Sequence, residues 1–180
     1  MKYLSIACAL TVAAFTFSSC DKAAALLFKP FESPLNFNVT IPVVSSTTAE
    51  STLGSSTVAF DLDQEISKNT GGELDSKVVG AMYINAVAFT LTNADGSNNL
   101  SNFEYVTLSV SSGNSTPVVL GPFTISAGST TAQSFTVANS PDVKQFFSGK
   151  NVQFELRGKA KAATTKALNA TIAATIKFDK

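Results

Sequence analysis

The 180-residue chain has no histidine, no tryptophan and only two cysteines, Cys8 and Cys20. Lack of histidine removes the Ser-His-Asp and Cys-His nucleophilic systems and the usual zinc sites. Lack of tryptophan removes the favoured platform for sugar stacking, leaving, beyond the first twenty residues, Tyr83 and Tyr105 beside phenylalanines that the core needs. Charge is scarce as well. Lys, Arg, Asp and Glu make up 14% of the chain, 13 basic side chains balance 13 acidic ones, and Arg157 is the sole arginine. A chain without a basic stripe does not grip phosphates, so nucleic acid is not an expected partner. In place of charge the sequence is rich in Ser, Thr, Val, Ile and Phe, residue types that fit pleated, half-buried surfaces.

The first twenty residues have their own pattern. Met1 and Lys2 form a minimal positive end, and residues 3–17 are almost wholly apolar, the length of a signal-peptide core and too short to span a bilayer. Two small residues then lead into a cysteine. Phe17-Ser18-Ser19-Cys20 resembles the lipobox of bacterial lipoproteins, with Phe17 where Leu is usual and serines where Ala and Gly are frequent. The resemblance implies export, cleavage before Cys20, a thioether-linked diacylglycerol on its sulfur and usually an acylated amine. Residues 1–19 are then a lipoprotein signal peptide, 20–34 a lipidated tether and 35–180 the folded domain. Two or three acyl chains give stable anchoring where one gives only marginal binding.

Loss of the signal segment removes Cys8 and Lys2. The mature chain then holds no disulfide, although export permits one, and 12 basic face 13 acidic side chains. A domain without such staples depends on its core, and a chain of this size buries roughly 70% of its unfolded surface. Within the tether, DKAAALLFKPFESP, Pro30 and Pro34 prevent a long helix. Asp21 is the one acid immediately after Cys20, which leaves periplasmic and surface-facing placement both open.

From Leu35 onward the period is two. Phe37, Val39, Ile41 and Val43 alternate with polar residues, as do Val58, Phe60 and Leu62, and then Val152, Phe154 and Leu156. Near the end Leu168, Ala170, Ile172, Ala174, Ile176 and Phe178 occupy six successive same-face positions. One wet and one dry face argue for antiparallel sheet. Residues 79–92 are apolar on both faces, as in a central strand. In 103–110, Phe103 and Tyr105 are expected opposite Val106, Leu108 and Val110. The turn-rich NADGSNNLSN between those two segments predicts a hairpin pairing them. Further strands are expected at 117–126, where Pro122 indicates an edge or bulge, and at 133–138. Short helices are expected around 141–148, with Ser140 as cap and Gly149 as stop, and within 71–80. The fold class predicted is all-β, a two-sheet antiparallel β-sandwich of about eight strands with one or two short helices; a closed barrel is the alternative.

Few groups carry chemistry. Asp61, Asp63 and Glu65, read at period two, share one side of a strand end, where paired carboxylates can do acid–base work or collect a cation, although like charges so spaced are ordinary on a solvated strand face, which is the reading expected. Asn93, Asp95, Ser97 and Glu104 fall at positions one, three, five and twelve of a calcium loop with Leu100 at the eighth. That pattern fails at position one, where Asn93 replaces Asp, and at position six, where Asn98 replaces Gly. Lys159, Lys161 and Lys166 lie between the last two strands, expected in a solubilising hairpin loop or against anionic headgroups. Arg157 is expected on a polar strand face. The adjacent Phe146 and Phe147 form a docking patch if exposed and close an end of the sandwich if buried.

No cofactor and no metal is predicted; Cys20, the lipidation residue, is the one site assigned. The whole chain also resembles a broad group of small Bacteroidota lipoproteins in which a lipobox and tether precede a single β-rich domain. That likeness implies residence in the cell envelope, periplasmic or outer-membrane, and no known reaction. The function expected is that of a non-catalytic binding or structural module, membrane-bound through its lipid, with another envelope protein as possible partner. A carrier of an apolar ligand between the sheets is the alternative, and a carboxylate-only enzyme stands third.

Overall fold

Alternating apolar side chains pair into a sheet only where their dry faces meet another layer, and two such layers form here. The computed structural model describes residues 27–180; Cys20 and the start of the tether lie outside the described residues. The strands are β1 (Phe31–Ile41), β2 (Glu50–Ala59), β3 (Ala81–Leu91), β4 (Phe103–Ser111), β5 (Val118–Thr124), β6 (Ala132–Thr136), β7 (Asn151–Ala160) and β8 (Leu168–Asp179). One sheet has the order β1-β8-β3-β6 and the other β2-β7-β4-β5, and all neighbours are antiparallel. Two separate four-stranded sheets make a sandwich and not a closed barrel. The chain passes from one sheet to the other at every connection except β4–β5, which is the strand order of a jelly roll.

This order corrects two expectations. Residues 92–102 do not form a hairpin, because β3 is already flanked by β8 and β6, and β4 by β7 and β5. A two-residue turn would have imposed in-sheet pairing. The longer connection instead carries a cap at Asn99 and a 3-10 turn at Leu100–Asn102, and crosses the end of the sandwich. Residues 161–167 cross between sheets in the same way, so the lysine segment is not a hairpin loop either.

Packing between the layers is aromatic. Phe37 of β1 stacks on Phe154 of β7 across the sheets at 4.3 Å and 20°. Phe89 of β3 faces Phe123 of β5 at 6.2 Å, and Phe135 joins them from β6. All six inward positions of β8 are buried, as their alternation requires. Register shifts in β3 and β4 let the face change within one strand, which is how Phe103 comes to be fully buried on the same side as Val106 and Leu108.

The first strand opens at Phe31, four residues ahead of Leu35. Phe31 stacks on its register partner Phe178 at 4.5 Å, and Phe28 is buried beside it. Val43, expected inward, is beyond the strand and exposed.

Each sheet edge carries a feature that discourages strand addition. Pro34 lies in edge strand β1, Pro122 in edge strand β5, and edge strand β6 has only 5 residues. Edge strand β2 bulges at Gly54, whose φ of +130° disfavours any side chain. A Cβ there would stand 2.6 Å from Val39 Cγ1 and 2.8 Å from the Thr40 carbonyl oxygen. The missing side chain therefore lets β2 lie against β1 and close that side.

Candidate functional site

The three carboxylates in DLDQE are on a helix, not a strand. Alternation stops at Ala59, and helix α1 (Leu62–Thr70) follows. Asp61 is its N-cap, accepting from the Gln64 N–H at 2.9 Å, while Gly71 closes it in the left-handed conformation. Leu62 and Ile66, four apart, are the buried stripe that docks the helix. Asp63 accepts from the Ser76 N–H at 2.9 Å, and hydrogen bonding from Ser76, its side chain first and its backbone second, holds the Asp63 pKa below the ordinary value. Glu65 takes the Ser33 hydroxyl and Asn69 Nδ2. The three acids thus diverge to brace three segments. Asp61 and Asp63 do line a surface groove of about 370 Å³ at this end, beside Lys77, Lys144 and Lys150, with Phe60 and Phe147 as its apolar wall.

Phe146 and Phe147 are both buried and close that end of the sandwich, Phe147 meeting Phe60 edge to face at 5.0 Å. Helix α2 is the single turn Lys144–Phe147. Ser140 does not cap it: its hydroxyl accepts from the Ile84 N–H and Asp142 accepts from the Met82 N–H. The segment satisfies β3 by side chains where β6 has ended. Within 71–80 the helical element is a 3-10 turn, Ser76–Val78, capped by Asp75.

The calcium-loop residues are occupied by the fold. Asn93 accepts from the Asn169 N–H and donates to the Ala167 carbonyl. Asp95 pairs with Lys166 at 2.7 Å and accepts from the Ser97 and Asn98 N–H groups, the Lys166 contact being the largest reason its pKa is well below the carboxylate range. Glu104 pairs with Lys159 at 2.7 Å, which raises the lysine's pKa. Buried Asn98 and Asn102 bind residues 161–165, so this asparagine-rich loop fastens two crossings together.

Arg157 lies on the polar face expected of it, within a set of neighbours that its local sequence does not reveal. On the outer side of the β2-β7-β4-β5 sheet, Arg157 stands between Thr52 and Thr107, and Glu155 between Ser55 and Ser109. Arg157 Nε donates to Glu50 at 2.8 Å and Nη1 approaches Glu155 at 3.5 Å; the Glu50 bond raises its pKa further. Tyr105 donates its hydroxyl to the other Glu50 oxygen at 3.2 Å, and its pKa is raised, first by desolvation and then by that carboxylate. Glu50, Glu155 and Arg157 border a groove of about 580 Å³, floored by Thr107, Ser109 and Ser111 and flanked by Val119, Gln153 and the Gly113–Pro117 turn. The signal in the sequence was the run of Thr and Ser at alternate positions of β4 opposite the charged positions of β7.

No protein-family model matches the chain, and no curated protein matches it. Among solved structures it is similar to a nora virus chain at 10% identity, covering 85% of this chain and 61% of that one, with a TM-score of 0.35. It is also similar to a cyanophage Pam1 capsid chain at 13% identity, covering 85% and 88%, with a TM-score of 0.35. A third likeness, to the infectious bursal disease virus VP2 subviral particle, has 7% identity, covers 83% and 32%, and has a TM-score of 0.37. The chain thus spans less than two thirds of the nora virus and bursal disease virus chains. At these scores the likeness bears on neither fold nor function.

Proposed function

We propose that this protein is a lipid-anchored module of the cell envelope, held at a membrane through Cys20, that acts by binding or by structural support and not by catalysis. The observation that carries this reading is the occupied interior. Sheets pack roughly 10 Å apart, and between them Phe37 rests on Phe154 at 4.3 Å, at the place where an apolar cargo would need room. That stack favours the binding or structural reading over the carrier alternative.

The carboxylates favour the same conclusion over acid–base chemistry. Asp61, Asp63 and Glu65 are engaged with backbone, hydroxyl and amide groups from different segments. Because the edges are blunted, binding by strand addition is disfavoured, and the outer faces remain as working surfaces. Phe28, packed into the fold, is eight positions from Cys20, a reach of at most about 28 Å for extended chain. The domain would therefore stay close to its bilayer.

The test is fractionation of the native host expressing Cys20→Ala. The account expects the variant to leave the membrane fraction with its thermal unfolding transition unchanged. Persistence in the membrane fraction would reject the anchor.

A further inference from the structure

Within this reading of the chain as a binding module, we propose that the groove on the outer side of the β2-β7-β4-β5 sheet binds a neutral oligosaccharide. Its floor is the distinguishing feature. Thr107 and Ser109 are 8% and 9% exposed as residues, yet among the described residues their hydroxyls make no side-chain hydrogen bond, and neither do those of Ser111 and the Gln153 amide. The asparagine cluster at the sandwich end contrasts with this, since Asn98, Asn99 and Asn102 are all bonded within the fold. The groove thus offers a row of uncommitted hydroxyls and an amide beside a guanidinium held in place by Glu50 and Glu155.

Chemistry narrows the ligand. An apolar molecule would strip water from these hydroxyls and from Arg157 without replacing the lost bonds, which is costly. An anion would meet Glu50 and Glu155, and a cation would meet Arg157, so neither sign is favoured. A neutral polyol suits the lining, because each sugar hydroxyl both donates and accepts and so matches Ser, Thr and Gln as well as Arg–carboxylate pairs. Exposed Val119, 59% accessible, gives a small apolar contact for a C–H face in place of the absent tryptophan. The volume, about 580 Å³, falls among small-molecule sites.

Affinity electrophoresis tests this with the full chain in detergent, run through gels containing starch, barley β-glucan, galactomannan, xylan or glycol chitin. Alginate, a Ser/Thr-rich peptide conjugate and anionic vesicles serve as the competing classes. We expect at least one neutral polysaccharide to retard the protein. Arg157→Met should weaken that retardation about tenfold or more, as loss of a charge-assisted hydrogen bond predicts. Gln153→Ala and Thr107→Val, which leave the ion pairs intact, should weaken it several-fold, and Asn38→Ala on the opposite sheet should not. If Arg157→Met fails to fold, as judged by its melting transition, the other two substitutions decide. No retardation by any neutral polysaccharide, retardation only by alginate or binding only to peptide or vesicles, or retardation indifferent to all three substitutions would overturn the proposal. Cys20→Ala separates the two readings: the variant should be released from membranes and still be retarded. Failure of the groove leaves the anchor standing, and failure of the anchor leaves the groove standing.

Discussion

Replacing Phe154 by alanine tests whether the interior is filled as tightly as the ring geometry implies. Phe154 is fully buried in the central strand β7, and its ring stacks on Phe37 from the opposite sheet. Removing a buried phenylalanine costs about 3–5 kcal/mol through lost transfer energy and an incompletely collapsed cavity. About 0.5–1.5 kcal/mol of that belongs to the stack itself. Against a total of about 5–15 kcal/mol for a domain, the loss is large. With a urea slope near 2 kcal/mol/M, a loss of about 4 kcal/mol lowers the unfolding midpoint by about 2 M. Phe37→Ala combined with Phe154→Ala should cost less than the sum of the two, by about 0.5–1.5 kcal/mol, because the stack can be lost only once. Phe154→Leu, which keeps most of the volume, should cost about 1–2 kcal/mol and supplies a folded reference if the alanine variant is too weak to study. The new void should admit benzene in the alanine variant, as dry engineered cavities do, while the unaltered protein should bind neither benzene nor oleate. A cost below about 1 kcal/mol for Phe154→Ala, or stoichiometric oleate binding by the unaltered protein, would refute the filled interior and restore the carrier alternative.

Three further expectations follow from local geometry. Gly54→Ala forces a Cβ to within 2.6 Å of Val39 at a φ of +130°, and should cost about 2–4 kcal/mol by urea titration, whereas Gly96→Ala, with open space around it, should cost about 1 kcal/mol or less. Asp61→Ala removes the N-cap of α1 and should cost about 1 kcal/mol, with Asp61→Asn retaining most of the stability; an equal loss in both would mean that charge and not capping is at work. Stability should fall on acidification. The pKa values of Asp95, Asp63 and Asp179 are all lowered in the folded state, so their contribution is complete above pH about 4 and disappears as pH drops through the lowered values. Asp95→Asn should flatten the dependence of the urea midpoint between pH 5 and pH 2, at about those limits, and an unchanged slope would contradict the Lys166 pairing.

Much of the architecture was legible because period-two burial is a strong signal. β8 needs six inward residues in succession and has them, and eight strands in two layers follow from such segments. Strand pairing was not legible. Chain order places β3 beside β4, but long connections do not force neighbours to pair, and which edges are free is decided by β6 and β8, remote in sequence. The helix α1 was masked by an accidental continuation of alternation through Phe60 and Leu62. Its own signals were present: an acid three positions before Gln64, apolar residues four apart at Leu62 and Ile66, and the Gly71-Gly72 stop. Arg157 was placed correctly on an outer face. Its coupling to Glu50 spans 107 positions of sequence and depends on the β2–β7 register, which the bulge at Gly54 sets.

The anchor at Cys20 is tested most directly by the intact mass of the mature protein purified from membranes of its native host. The account predicts a chain beginning at Cys20 and heavier than its amino-acid sequence by a diacylglyceryl group, with or without an added acyl group on the amine. A chain still beginning at Met1, or one carrying a free thiol at Cys20, would contradict it.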